Sequence, residues 1–161
     1  MKKSIIALLL GIIFAGLFCL PAKAEETTFG FFTDRAEYGV ASKFTEDELY
    51  ALYHVVESEA YGCHYINYRN VANVIFNRYS DGWWGKSLTD VLYYPGHFMV
   101  VTTGFYKTVV PSAAAILAID EAWAHDYTGG ALFFDSTNGE SYAAKHCTFL
   151  FRDSAGHDFY K

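Results

Sequence analysis

Positive charge is what this chain lacks most. Lys and Arg number 12 against 18 Asp and Glu, for a formal net charge of −6 over 161 residues. With no basic surplus to offset phosphate repulsion, nucleic acid and anionic membrane surfaces are excluded as partners. Internal repeats, low-complexity segments and runs of like charge are absent too. Their absence leaves no sign of a solenoid or a charged interaction tail. Long apolar runs are limited to one, at residues 4–20, directly after Met1-Lys2-Lys3. A membrane span needs about 20 apolar residues, and this run is at the short end of that length. Pro21-Ala22-Lys23-Ala24 follows it, with small residues at both positions before a cut after Ala24. The expectation is a secretory signal peptide over residues 1–24, an exported protein, and no stable membrane span after cleavage. Phe18 is bulky and immediately precedes Cys19, which argues against lipid attachment there.

Removal of that segment takes Lys2, Lys3 and Lys23 with it and leaves the remainder more acidic still. The remaining length suits one domain with its own core, acting as a monomer. Residues 25–43 carry two glycines and weak periodicity and read as an N-terminal arm. Outside the cytosol, the remaining pair Cys63 and Cys147 reads most simply as a disulfide. Closing a loop of that length would stabilise the fold by about 4–5 kcal/mol in the chain-entropy model. Free thiols are a second reading. A metal set with His64 and His146 is a third. Adjacent Cys-His pairs point apart, however, and structural zinc sites space their ligands by two to four residues. No metal and no cofactor is therefore assigned.

What the chain does have is a carboxylate at the end of a well-marked helix. Thr45 and Glu48 form a capping box, with Phe44 and Leu49 as the accompanying staple. Leu49, Leu52, Tyr53, Val56 and Ala60 follow at helical spacing, and Gly62 ends the element. Glu59 lies on one margin of that stripe, beside Leu52 and Val55. Glu57 lies on the other, near Tyr53. Two residues apart, they face different ways and cannot act as a pair. Both sit in the last turn, where the helix dipole disfavours an anion, and apolar neighbours add to the upward pKa shift. A proton donor at neutral pH needs that shift. The plainer reading is two solvated glutamates on a helix surface. A second helix is expected over residues 70–78, with Val71, Val74 and Ile75 inward and Arg78 at its end. Trp83-Trp84-Gly85 reads as an aromatic loop. Ser87 and Asp90 cap a short helix through Leu92. Pro111 opens an Ala-rich helix over residues 113–125, expected to be well buried. Short strands are expected over 131–135 and 148–152. The sum is an α+β domain, mainly α, with a small C-terminal β element.

Glu59-Ala60-Tyr61-Gly62, the stretch Val71-Ala72-Asn73-Val74-Ile75-Phe76-Asn77-Arg78, Ser87-Leu88-Thr89-Asp90-Val91-Leu92, Gly96-His97-Phe98 and Gly156-His157-Asp158-Phe159-Tyr160 occur in that order. In this the chain resembles the SleB-like cell wall hydrolases of the spore-cortex-lytic type. The resemblance runs from about Leu49 onward, and each fragment of it is degenerate. It implies a lysozyme-like catalytic domain over residues 44–161. It also implies cleavage of the muramic acid–glucosamine backbone of peptidoglycan in the manner of a lytic transglycosylase. The glutamate of the family's E-A-x-G-E motif falls on Glu59, the expected catalytic acid. Two departures stand out: Cys63 replaces the motif's second acid, and His97 replaces the glutamine of its G-Q-F segment.

The candidate substrate-binding residues are Tyr61, Tyr93, His97, Phe98, Phe134, His157 and Tyr160. Asp135 and Asp153 are reserve carboxylates. The partner expected is a peptidoglycan glycan strand. Two other classes fit the same residues: a non-catalytic wall-binding relative, suggested by Cys63 and His97, and a Cys/His metal-dependent hydrolase. Thiol titration of the unfolded exported chain separates the cysteine readings, because two reactive thiols exclude the bridge.

Overall fold

The computed structural model describes residues 39–136 and 139–161. The expected signal segment at 1–24, and the expected arm as far as residue 38, lie outside the described residues. Among the described residues a 3-10 turn, Val40–Ser42, comes first.

Helix α1, Glu46–Glu59, starts where its cap chemistry places it. The Thr45 hydroxyl accepts from the Glu48 amide at 3.3 Å, and Glu48 Oε2 accepts from the Thr45 amide at 3.1 Å. Glu48 also ties two elements together. Its Oε1 accepts from the Leu88 amide at 3.1 Å, at the start of helix α3, Leu88–Leu92. The α1 stripe, with Ala60 just past its end, buries Leu52, Val55 and Val56 against α3 and the following helix α2, Tyr65–Asp81. Phe44 goes further than a local staple. Its ring meets Phe76, Tyr79 and Trp123 at centroid distances of 6.3, 5.3 and 5.3 Å.

Helix α2, Tyr65–Asp81, begins five residues before the expected start. The expected 70–78 span counts only the clearest apolar period. His64, Tyr65 and Ile66 carry no Ser, Thr, Asp or Asn cap to signal the true start. The cap is supplied from inside instead: Asn67 Oδ1 accepts from the His64 amide at 3.0 Å. Gly82, at φ +75, closes the helix in the left-handed conformation that favours glycine. Next come the one-turn helix α4, Met99–Thr102, and a 3-10 turn, Phe105–Thr108. Helix α5, Ala113–Ala124, follows and packs along α2. The Ala-rich helix is not buried all round as expected. Ala115, Ala118, Ile119 and Ala122 face the core, while Ala113, Ala114 and Leu117 are exposed. Alanine is strongly helix-forming on either face, so its abundance does not report burial.

One edge of α2 gathers the chain that leads to the sheet. The Asn73 amide donates to the carbonyls of Ala122 and His125 at 2.9 and 3.0 Å, and its oxygen accepts from the Tyr127 amide at 3.0 Å. One turn on, Asn77 donates to the Ala131 carbonyl at 3.0 Å. This path delivers strand β1, Phe133–Asp135. A short helix α6, Tyr142–His146, then leads to β2, Phe149–Arg152. The third strand, β3, Asp158–Tyr160, is the centre of the sheet, in the order β1-β3-β2 with both pairs antiparallel. At three residues it is too short to show an alternating pattern in the sequence. Among the described residues no helix is long and apolar enough to cross a membrane.

Glu57 departs most from expectation. It is 5% exposed, not a solvated surface residue. Tyr68 Oη donates to Oε1 at 3.0 Å, and the Ser112 amide and hydroxyl donate to Oε2 at 2.9 and 2.8 Å. Glu57 thus fastens α1 to α2 and to the cap of α5. Replacement by Ala leaves three donors stranded, and we expect Glu57→Ala to lower unfolding free energy by about 2–3 kcal/mol in urea titration. A cost under about half a kcal/mol would show the three contacts to be energetically idle.

Candidate active site

Two residues along α1 from Glu57, a second glutamate meets the opposite environment. Glu59 is the last residue of the helix, ahead of the turn through Gly62 at φ +73. It is half-buried, and its Oε1 is buried with no hydrogen-bond partner. Burial pushes its pKa up to about 7, while the Val100 backbone amide and the Arg78 charge pull the other way. The side chain is thus a carboxylic acid for part of the time at neutral pH, as a proton donor requires.

Arg78 is the group that sequence reasoning left without a role. It sits at i, i+3, i+4, i+7 spacing with Val71, Val74 and Ile75, so the guanidinium follows the apolar stripe inward. That spacing was the available signal. The side chain is buried, and its Nε donates to the Leu132 carbonyl at 2.7 Å. Its Cζ lies 5.4, 5.1 and 5.5 Å from the ring centroids of Trp84, Phe98 and Phe133. Burial lowers its pKa to about 10, against the opposing pull of Glu59, so it remains a cation at neutral pH. Arg78 Nη1 and Trp84 Nε1 are buried without partners, as Glu59 Oε1 is. All three residues meet through Arg78. Unsatisfied buried polar atoms are rare, and a group of them marks where a water or a substrate group completes the bonding.

His97 stands over the same rings, edge-on to Tyr94 at 4.6 Å and to Trp84 at 6.2 Å. Burial lowers its pKa to about 4, and the nearby Arg78 charge adds to this. The imidazole is therefore neutral, with one donor and one acceptor nitrogen. Like an amide side chain it offers both a donor and an acceptor, with one N–H where the amide has two. A cavity of about 420 Å³ lies here, lined by Trp83, Trp84, His97, Phe133, Tyr142 and Cys147. Glu59 is not among the lining residues. Arg78, caged by Trp84 and Phe133, joins the acid to the cavity.

Of the sequence-predicted binding residues, His97 lies in the cavity wall. Phe134 is half-buried, stacked on Phe159 at 5.8 Å and 5.7 Å from His157. Tyr61 and Tyr93 are exposed. Two assignments are corrected. Phe98 is 1% exposed and forms the floor under Arg78. Tyr160 is 4% exposed in the central strand. Neither ring is presented to a ligand; both are drawn into the core by ordinary aromatic burial. The reserve carboxylates hold loops. Asp153 accepts from the amides of Ala155 and His157 at 2.9 and 3.0 Å and from Asn67 at 2.7 Å. His157 Nδ1 lies 3.4 Å from the same carboxylate. Asp135 accepts from the Ser141 hydroxyl at the cap of α6.

The expected bridge between Cys63 and Cys147 is not formed; both are free thiols. They occupy separate neighbourhoods. Cys63 lies in the turn after α1, where burial and the Asp153 charge raise its pKa. Cys147 lies in the cavity wall. Among the described residues no three His, Cys, Asp or Glu side chains gather as a metal site.

The sequence profile of the cell wall hydrolase family matches residues 63–160. That span begins after Glu59 and includes Arg78, His97 and all three strands. No curated protein matches the chain in sequence. Two solved structures share the fold. The catalytic domain of the germination-specific lytic transglycosylase SleB from Bacillus anthracis superposes with a TM-score of 0.65 at 23% identity, covering 74% of this chain and 98% of that one. The catalytic domain of the Bacillus cereus SleB protein gives 0.64 at 23% identity, with 73% and 92% covered.

The Glu59 environment has a thermodynamic signature. Its folded pKa of about 7 lies above the ordinary 4.5, so the native state holds this proton more tightly than the unfolded chain. The resulting stability is full below the ordinary value and is lost as pH rises through 7. Glu59→Gln removes that loss. We expect the variant to gain about 2–3 kcal/mol on the parent between pH 4 and pH 8 in urea titrations. A pH-independent difference would place the carboxyl in water.

Proposed function

Since the chain belongs to the cell wall hydrolase family, we propose that it is exported and cleaves the MurNAc–GlcNAc backbone of peptidoglycan, with Glu59 as the single acid/base of a lytic transglycosylase. The observation that carries this reading is the half-buried Glu59, protonated in part at neutral pH and placed against the buried cation Arg78.

In this reading the protonated Glu59 donates to the bridging oxygen as the C1–O bond breaks, and the leaving sugar departs as an alcohol. The 2-acetamido oxygen of the cleaved muramic residue stabilises the cationic C1, so no second protein carboxylate is needed. This substrate assistance is an established exception to the two-carboxylate scheme. Glu59, now an anion, draws the proton from the C6 hydroxyl of that sugar, whose oxygen closes on C1. The product is a 1,6-anhydro sugar, and the acid is regenerated. Arg78 acts as a positioning residue: its charge supports the anion that exists between the two proton transfers. Neutral His97 supplies a donor and an acceptor to the sugar's polar groups. The Bacillus anthracis SleB domain, whose fold this chain shares, comes from a protein described as a germination-specific lytic transglycosylase. That supports the anhydro product over simple hydrolysis.

Mass spectrometry of purified sacculi after digestion tests the assignment. The parent should release anhydro-muropeptides, and Glu59→Gln should release none while keeping its fold. Reducing ends would mean hydrolysis, and no fragments would mean a wall-binding relative. Loss of activity with chelator would favour the metal hydrolase. On the basic side, kcat/KM should fall about tenfold per pH unit above 7, as the donor loses its proton.

A further inference from the structure

A second cavity adjoins the first. It has a volume of about 620 Å³ and runs along the Trp83-Trp84-Gly85 loop and the side of α3, reaching Tyr93, Tyr94 and Pro95. Trp83 and Trp84 form part of both cavities, so the two share one wall. No step of the proposed reaction uses the outer one. Two of its residues present exposed aromatic rings. Trp83 is 68% exposed and Tyr93 46%. Such rings attract water poorly, and their exposure in a concave site marks a binding surface.

The rings are held before any ligand arrives. Trp83 stands edge-to-face with Trp84 at 5.1 Å and tilted against Tyr94 at 5.7 Å. The Trp83 amide donates to Asp81 Oδ2 at 3.3 Å. Tyr93 shares a hydrogen bond with the Tyr106 hydroxyl at 2.8 Å. Asp90 fixes the loop from below, accepting from the amides of Lys86 and Ser87 at 3.0 Å each. Gly85 is required here. Its φ is +131, and a Cβ added to it would lie 2.2 Å from that of Asp90. A preset aromatic surface loses little entropy on binding.

We propose that this shelf is a glycan subsite, which binds sugar residues of the strand outside the cleavage site by stacking them on Trp83 and Tyr93. The proposal rests on the reading of the protein as a peptidoglycan-cleaving enzyme. The chemistry of the shelf matches a polymeric sugar. Pyranose rings present C–H faces to aromatic rings, while Lys86 and Thr89 place donors at the edge for hydroxyl and acetamido groups. On the other side of the shared Trp83-Trp84 wall lies the cavity that His97 lines. The chain is acidic overall, so stacking rather than charge provides its hold on the strand.

Peptide-free peptidoglycan glycans of two and eight sugars are the probes, measured by calorimetry on Glu59→Gln protein so that nothing is cleaved. Adding Tyr93→Ala, at a ring that lines the outer cavity but not the inner one, should weaken the eight-sugar strand by about tenfold and leave the two-sugar fragment within about twofold. Tyr93→Phe should restore most of the affinity. Equal loss on both lengths, or no loss on either, overturns the shelf while binding by the parent keeps the functional reading intact. If the Glu59→Gln parent binds neither probe and the unsubstituted protein releases no fragments from sacculi, the functional reading fails and takes the shelf with it.

Discussion

The buried guanidinium of Arg78 is the constraint around which the rest is arranged. A charge taken out of water must be compensated, and here the compensation comes from several directions. Leu132 gives a carbonyl, three rings give their faces, and Glu59 gives an opposing charge. The partners arrive on four different segments. Satisfying one cation therefore draws α2, the Trp83-Trp84 loop, the GHF turn, the lead-in to β1 and the end of α1 into one place. Burial, with the same charge adding to it, keeps His97 neutral, and the charge joins the Val100 amide in holding Glu59 below the pKa that burial alone would give.

Glu57 and Glu59 show how position in a helix divides labour. They share a turn of α1 and have the same chemistry. One receives three hydrogen bonds and holds three elements together. The other has an oxygen that receives none. Rotation by two residues about the helix axis takes a carboxylate from a donor-filled crevice to a donor-poor one. Two carboxylates set apart by their environments are the arrangement by which acids acquire distinct roles.

Much of the fold could be read from residues alone. The start of α1 was plain because Thr45 and Glu48 satisfy amides locally, and the cap of α3 at Ser87 and Asp90 was plain for the same reason. Features closed by distant partners were not plain. The start of α2 is capped by Asn67, a residue inside it. Glu57 reads as a surface residue until Tyr68 and Ser112 are brought beside it. Phe98 and Tyr160 lie in motif segments, but aromatics in a motif serve packing as readily as binding. The bridge expected between Cys63 and Cys147 rested on compartment and pairing arithmetic, neither of which encodes adjacency. Glu59 was marked by its place at a helix end; the cation that governs it was visible only as an arginine on an apolar stripe.

The strand order carries a consequence for assembly. β1 and β2 do not pair with each other; each pairs only with β3, the last of the three in the chain. For a polypeptide emerging amino end first, the helices can collapse early, but both flanking strands wait for their shared neighbour. Phe133, which cages Arg78 and walls the inner cavity, is on one of those waiting strands. The inner cavity therefore has its full wall only when the last strand of the chain has joined the first.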